Sequence, residues 1–302
     1  MNKKTTLTAY GLGSFFCNDL QKIRDNAPLV HNVTNFVVMN NTANALLAIG
    51  ASPVMAHAAE EVAEMSALSS ALVINIGTLS REWVDAMALA MTAAKDKGIP
   101  IIFDPVGIGA TVFRTQSCLT LIDQISPTVI RGNASEIMAL NGNSVQTKGV
   151  DSSAAASDAE SAALALAQKY ACVVTVSGAV DLITDGNNKF QVRNGNPMMP
   201  KVTGLGCTAT ALVGAFCAVN DNALAATTHA MTVMGICGEI AAGKSAGPGT
   251  LQVHLIDAFY NLTNEQIASH WARKGMCNQR IRRVWPCHYG SVETYSDSTS
   301  YQ

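Results

Sequence analysis

Charged side chains are scarce in this sequence, only 14% of its residues, and the two signs nearly cancel: 20 Lys and Arg stand against 22 Asp and Glu, a formal net charge of -2. A chain so balanced offers no extended basic field for nucleic acid and no polybasic patch for an anionic membrane. Long apolar runs are missing too. Segments such as Ala71 to Ile76 and Ala209 to Val219 fall well short of the ~20 residues that span a bilayer. Met1 to Tyr10 is polar and Thr-rich, carries Lys3 and Lys4, and is not followed by the apolar core of a secretion signal. We therefore expect a cytoplasmic protein with no membrane partner. Cysteine occurs eight times but never as C-x-x-C, which reads as reduced thiols rather than a disulfide framework. The sequons at Asn32, Asn40 and Asn261 then carry no glycosylation meaning. No spacing of His, Cys and carboxylates suits zinc.

Apolar residues are abundant, at 48%. With so little charge to spread over the outside, this composition implies apolar surface that another subunit covers. A length of 302 residues allows one large α/β domain or two smaller ones. The pattern along the chain favours one. Short runs rich in Val and Ile alternate with Ala-rich segments of helical period, as in a mainly parallel sheet with helices on both faces. Strands are expected at Leu29 to Asn32, Pro53 to Ala56, Leu72 to Asn75, Ile101 to Asp104, Thr128 to Arg131, Cys172 to Ser177, Leu182 to Thr184 and Phe190 to Arg193. Asp185-Gly186-Asn187-Asn188 supplies a tight hairpin turn between the last two. Helices are expected at Val37 to Ile49, Glu60 to Ser69, Arg81 to Lys97, Ser135 to Leu140, Ala154 to Lys169, Cys207 to Val219, Ala223 to Ala242 and Leu251 to Leu262, with Ser80 as an N-cap. We read residues 1–273 as one domain and 274–302, where Ala and Val give way to aperiodic Arg, Ser, Tyr and Thr, as a disordered or loosely attached tail.

Two glycine-rich segments compete for phosphate. Gly238-Glu-Ile-Ala-Ala-Gly243-Lys244-Ser245 fits the P-loop expression letter for letter. It follows helical sequence and runs into Ala246-Gly247-Pro248-Gly249, however, whereas a P-loop needs a strand before it and a helix after it. We read it as a helix end and a turn. Thr203-Gly204-Leu205-Gly206-Cys207-Thr208 stands just before an Ala-rich helix. Its glycines let an anion approach the backbone, and the helix start supplies free amides. A helix start packed tightly against a neighbour would look the same.

Several segments together resemble the hydroxyethylthiazole kinase family of the ribokinase-like superfamily, in register from about Pro28 to about Leu262. They are PLVHNVTNFVVMNNTANALLAIGASPVMAHA (28 to 58), NIGTL (75 to 79), DPVGIGAT (104 to 111), IRGNASEI (130 to 137), VSGAVDLITDG (176 to 186), VTGLGC (202 to 207) and GPGT (247 to 250). The resemblance implies a three-layer ribokinase-like fold without a lid domain. It further implies phosphorylation of the alcohol of 4-methyl-5-(2-hydroxyethyl)thiazole with ATP and Mg2+ in thiamine synthesis. A kinase for another small alcohol such as hydroxymethylpyrimidine, or a binding protein without turnover, would share the same phosphate motifs.

Carried onto this chain, the resemblance puts Arg131, Ser177 and Gly206 on ATP, and Asn35, Val37, Met55 and Gly204 around the thiazole. Asn133, Glu136 and Asp104 would serve magnesium. Asn-x-x-Glu also forms a capping pair, and Pro105 with Gly107 gives Asp104 a turn-only explanation. Cys207 occupies the position where most of the superfamily has Asp as base. A helix start lowers a thiol pKa while phosphates oppose ionisation, so Cys207 is placed in the site with its role as base open. His31 and His57 lie near the pocket without an assigned role. The family also implies a homotrimer with shared active sites, in which Asn35 to Met55 approach the phosphate motifs of a neighbouring chain.

Overall fold

The computed structural model describes residues 9–142 and 152–274. Of the expected tail, 274–302, Lys274 is the last described residue and the rest lies outside them. Eight strands form one sheet in the order β2-β1-β3-β4-β5-β6-β7-β8: β1 (Leu29–Val33), β2 (Ser52–Val54), β3 (Ala71–Asn75), β4 (Ile101–Asp104), β5 (Val129–Asn133), β6 (Val173–Ser177), β7 (Asp181–Thr184) and β8 (Lys189–Val192). Pairing is parallel from β2 to β6 and antiparallel from β6 to β8. The β7–β8 turn is closed by Asp185 Oδ1, which accepts from the amides of Asn187 and Asn188, with Gly186 at φ 87° where a side chain would be strained.

Alternate residues of each central strand feed two separate cores. Val30, Val73, Ile102, Val129 and Val173 face one side; Val33, Leu72, Ile74, Ile101, Phe103, Ile130 and Val174 face the other. The first core is closed by α1 (Ala9–Asn26), α2 (Met39–Ile49), α8 (Leu205–Cys217), α9 (Ala223–Ala242), α10 (Pro248–Asn261) and α11 (Asn264–Lys274). The second is closed by α3 (Val62–Leu68), α4 (Arg81–Lys97), α5 (Val112–Gln124), α6 (Ala134–Leu140) and α7 (Ser152–Tyr170). This is the three-layer arrangement expected. Among the described residues every strand belongs to the central sheet, so none is left to form a lid.

Three helices depart from the expected element list. α1 precedes β1 and buries Leu20 and Ile23, and Arg24 donates to the carbonyls of Phe259, Tyr260 and Leu262 at the C-terminal end of α10. α5 fills the stretch between β4 and β5, starting at the Thr111 N-cap, which accepts from Arg114 N. α11 buries Ile267 and Trp271, side chains each worth about 1.5–3 kcal/mol when fully removed from water. Gly238 to Ser245 runs along the end of α9, with exposed Lys244 just past its last turn, as a helix end and not a P-loop.

Candidate active site

β3, β4, β5 and β6 each end in a polar residue, Asn75, Asp104, Asn133 and Ser177 in turn. Parallel register sets them side by side: Asn75 pairs with Asp104, and Asn133 with Ser177. Open α/β sheets bind ligands outside this carboxyl edge. The first turn of α8 lies across it.

One buried polar network joins five of the expected residues, Asn35, Cys207, Asp104, Arg131 and Ser177. Asn35, just past β1, donates from Nδ2 to Asn75 Oδ1 at 2.8 Å and to Cys207 Sγ at 3.6 Å. Asn75 Nδ2 donates to Asp104 Oδ2 at 3.0 Å, and Thr210 Oγ1 donates to the same oxygen at 2.7 Å. Arg131 NH1 lies 3.9 Å from that oxygen, and its NH2 donates to Ser177 Oγ at 2.8 Å. Burial pushes Asp104 up to about 6, with Arg131 and Thr210 pulling against it. Asp181, which accepts from Gly178 N at 2.9 Å and feels Arg131, is likewise pushed up by burial to about 6.

Above this network α8 begins with Gly204 at φ 81°. A side chain at Gly204 would put its Cβ 2.7 Å from Val38 Cγ1, and one at Gly206 would sit 3.0 Å from Arg131 NH1. Glycine therefore serves two ends here, a left-handed turn and close approach of the Arg131 guanidinium. The helix ladder starts with Thr208 N donating to Gly204 O, so the amides of Leu205, Gly206 and Cys207 precede it, as anion binding at a helix start requires. At Cys207 burial works against the lowering expected of a helix start. Desolvation dominates and, with the Asp104 charge, pushes the thiol up to about 11 against the opposing amides of Asn75 and Asn35.

Asn133 and Glu136 form a capping box at α6. Asn133 Oδ1 accepts from Glu136 N at 2.9 Å, and Glu136 Oε2 accepts from Asn133 N at 2.8 Å. Glu136 Oε1 accepts from Gly107 N at 2.9 Å, which ties the loop after β4 to α6. Each carboxylate oxygen thus takes one backbone donor and keeps a lone pair. That donor set suits a hydrated magnesium ion, which usually keeps several of its waters.

Of the residues expected around the ring, Asn35 is buried in the network, whereas Val37 and Met55 are more open. Val37 is 65% exposed and donates its amide to Asn35 Oδ1, so the Asn35 amide is engaged within the protein at both ends. Met55 is half-buried beyond β2. The next residue, Ala56, accepts from buried His31 Nε2 at 2.7 Å, and His31 Nδ1 meets Ser66 Oγ at 2.9 Å; burial lowers the pKa of this ring. His57 stacks near Trp83, whose other neighbour is exposed Phe36, both with ring centroids 4.7 Å away. Sequence reasoning assigned no role to Asn75, Thr210, Asp181, Trp83 or Arg114. Arg114 clamps the loops after β3 and β4 by donating to the carbonyls of Ile76, Gly77 and Val106. Only Asn75 carried a visible signal, a polar residue closing an apolar strand.

A central sheet between two helical layers, with a glycine-opened helix start over its carboxyl edge, gives the chain a ribokinase-like fold. A ribokinase-like superfamily protein from Enterococcus faecalis shares the fold, with a TM-score of 0.56 at 14% identity, covering 78% of this chain and 88% of that one. The narrower assignment comes from sequence. Residues 20–265 match the model of the Hydroxyethylthiazole kinase family, and the chain belongs to that family. A hydroxyethylthiazole kinase from Syntrophus aciditrophicus is 55% identical over 250 residues, covering 82% of this chain and 93% of the relative. The solved structure of a hydroxyethylthiazole kinase protein from Pyrococcus horikoshii is 43% identical with a TM-score of 0.78, covering 87% of this chain and 97% of that one.

Proposed function

We propose that this protein transfers the γ-phosphoryl group of ATP to the primary alcohol of hydroxyethylthiazole, as a cytoplasmic step of thiamine synthesis. The observation that carries the reading is the continuity of the network. In a chain of this family, Asn35 and Cys207 on one side are hydrogen-bonded through Asn75 to Asp104, whose carboxylate forms a 3.9 Å ion pair with Arg131, itself hydrogen-bonded to Ser177 on the other.

The alcohol oxygen forms the new bond to phosphorus and the bond to the ADP oxygen breaks. Arg131 and the amides at Gly206 and Cys207 stabilise the charge on the phosphoryl oxygens. Such a transfer depends mainly on positioning and charge stabilisation, because its transition state is loose. Ser177 orients Arg131 on the nucleotide side. Magnesium, when bound, neutralises the β- and γ-phosphates; Glu136 and Asn133 would hold its waters, with Asp104 next to the Arg131 guanidinium. Cys207 lies beside the alcohol and, with its pKa at about 11, stays protonated, so the alcohol's proton passes to a phosphoryl oxygen as the bond to phosphorus forms and Cys207 positions the hydroxyl rather than deprotonating it. Val37, Met55 and Gly204 shape the apolar side of the ring pocket, with Asn35 beneath.

We further propose that the sites are shared within a homotrimer. In support, Phe36 and Val37 at the rim are 62% and 65% exposed, more apolar surface than a closed pocket leaves to water. Asn35 departs from the expected sharing, because it already lies against Cys207 of its own chain. The neighbour would cover the rim rather than complete the network. The deciding experiment is a product assay by mass spectrometry with the thiazole alcohol, ATP and magnesium. The phosphorylated thiazole should appear together with ADP; ATP consumed without it, or only with hydroxymethylpyrimidine as acceptor, would overturn the reading.

A further inference from the structure

Two backbone amides fix the orientation of both asparagine side chains beneath Cys207. Gly77 N donates to Asn75 Oδ1 at 3.0 Å, so the NH2 of Asn75 faces Asp104. Val37 N donates to Asn35 Oδ1 at 3.1 Å, so the NH2 of Asn35 faces Asn75 and the Cys207 sulfur. Neither amide can turn over without losing a backbone partner and meeting like against like. Asn75 is 1% exposed and Asn35 4%, where a lost partner costs most. Gly77 adds a steric condition: a Cβ there would lie 2.6 Å from Asn35 Nδ2.

From this one-way chain we infer that Asn75 is a positioning residue for the phosphoryl transfer. It holds Asn35 so that the Cys207 sulfur accepts a hydrogen bond from the protein and directs its own proton outward. Through its other end it holds Asp104 beside Arg131. The alcohol side and the phosphate side of the site are thus set by one side chain. This rests on the functional reading above. Both amides also favour the ionised thiol, against the stronger pull of burial, so their loss has a chemical signature that looser packing does not.

The test uses Asn75→Leu, similar in shape but unable to bond, and Gly77→Ala, which leaves Asn75 intact and displaces Asn35. For each, kcat and the KM for ATP are measured, together with the rate at which iodoacetamide alkylates Cys207 at mildly alkaline pH, read by peptide mass. Misplacement of this order costs about ten- to a hundredfold in rate. We expect kcat to fall at least that far in both variants, with the ATP KM within about twofold in Gly77→Ala but raised in Asn75→Leu, which also releases Asp104, and alkylation to slow several-fold as the thiol loses its donors. Unchanged kcat in both variants overturns the inference. So does alkylation that is unchanged or faster, the sign of loosened packing alone. Should Asn75→Leu fail to fold, Gly77→Ala reads the same quantities. The alkylation rates need no turnover, so a wild-type enzyme that yields no phosphorylated thiazole would count against the function and leave the geometry to be judged separately.

Discussion

Arg131 lies between two buried carboxylates. Asp104 and Asp181 are both pushed up to about 6 from an ordinary 3.8, by burial that the guanidinium only partly offsets. A carboxyl whose folded pKa exceeds its unfolded one binds its proton more tightly in the native state. Its stabilisation is therefore complete below the unfolded value and is lost as pH rises through the folded value. For Asp181 the window runs from 3.8 to about 6, and a difference of that size is worth up to ~3 kcal/mol. Asp181→Asn removes the titration, so its stability relative to the parent should rise across that window and level off above it. Urea unfolding of both proteins from acid to neutral pH measures the difference; a variant whose stability minus that of the parent stays flat or falls with rising pH would contradict the assignment. None of this was legible in the sequence, where Asp181 is one acid in a hairpin. Asn75 and Thr210 were hidden in the same way, because a buried amide or hydroxyl acquires its role from partners brought in by other strands and helices.

Individual elements were legible in proportion to how fully they are buried. β3 and β4 are nearly continuous apolar runs, and α8 and α9 are buried along most of their length, so both patterns stand out. α5 buries only Ser117, Cys118, Leu121 and Ile122, too mixed a stripe to register as a helix. α1 starts with Gly11 and Gly13, residues that weaken a helix. α11 is too short to be marginally stable alone and is held by Ile267 and Trp271. Context also separates the two glycine-rich segments. The segment ending at Lys244 closes α9, where the carbonyl end of the helix disfavours phosphate, whereas Gly204 to Cys207 opens α8, where amides and dipole favour it. Lys244→Ala should accordingly leave the KM for ATP nearly unchanged, while Arg131→Ala weakens ATP use tenfold or more, a loss of about 1.4 kcal/mol or greater. Initial rates over a range of ATP rank the two variants, and the reverse order would move the nucleotide to the other segment.

At the scale of the molecule, low charge and high apolar content now have an address. Leu47 on α2 and Val253 and Tyr260 on α10 are 58%, 61% and 72% exposed, on two helices that pack against each other. Phe36 and Val37 add apolar surface at the rim of the site. The described strands supply no lid, and a reacting phosphate gains from exclusion of water; a neighbouring subunit laid over the rim would provide it. The shared-site model predicts a particle of three times the single-chain mass of 31.7 kDa by light scattering. It also predicts the behaviour of Val37→Asp. That side chain is mostly solvent-exposed within one chain, so a carboxylate there should leave the monomer fold and its melting transition intact, yet in a covered rim it would be desolvated without a partner, at several kcal/mol per site. The variant should shift to lower mass and lose activity together, with mass, melting and turnover measured on one preparation. A fully active wild-type protein with the mass of a single chain would rule the shared site out.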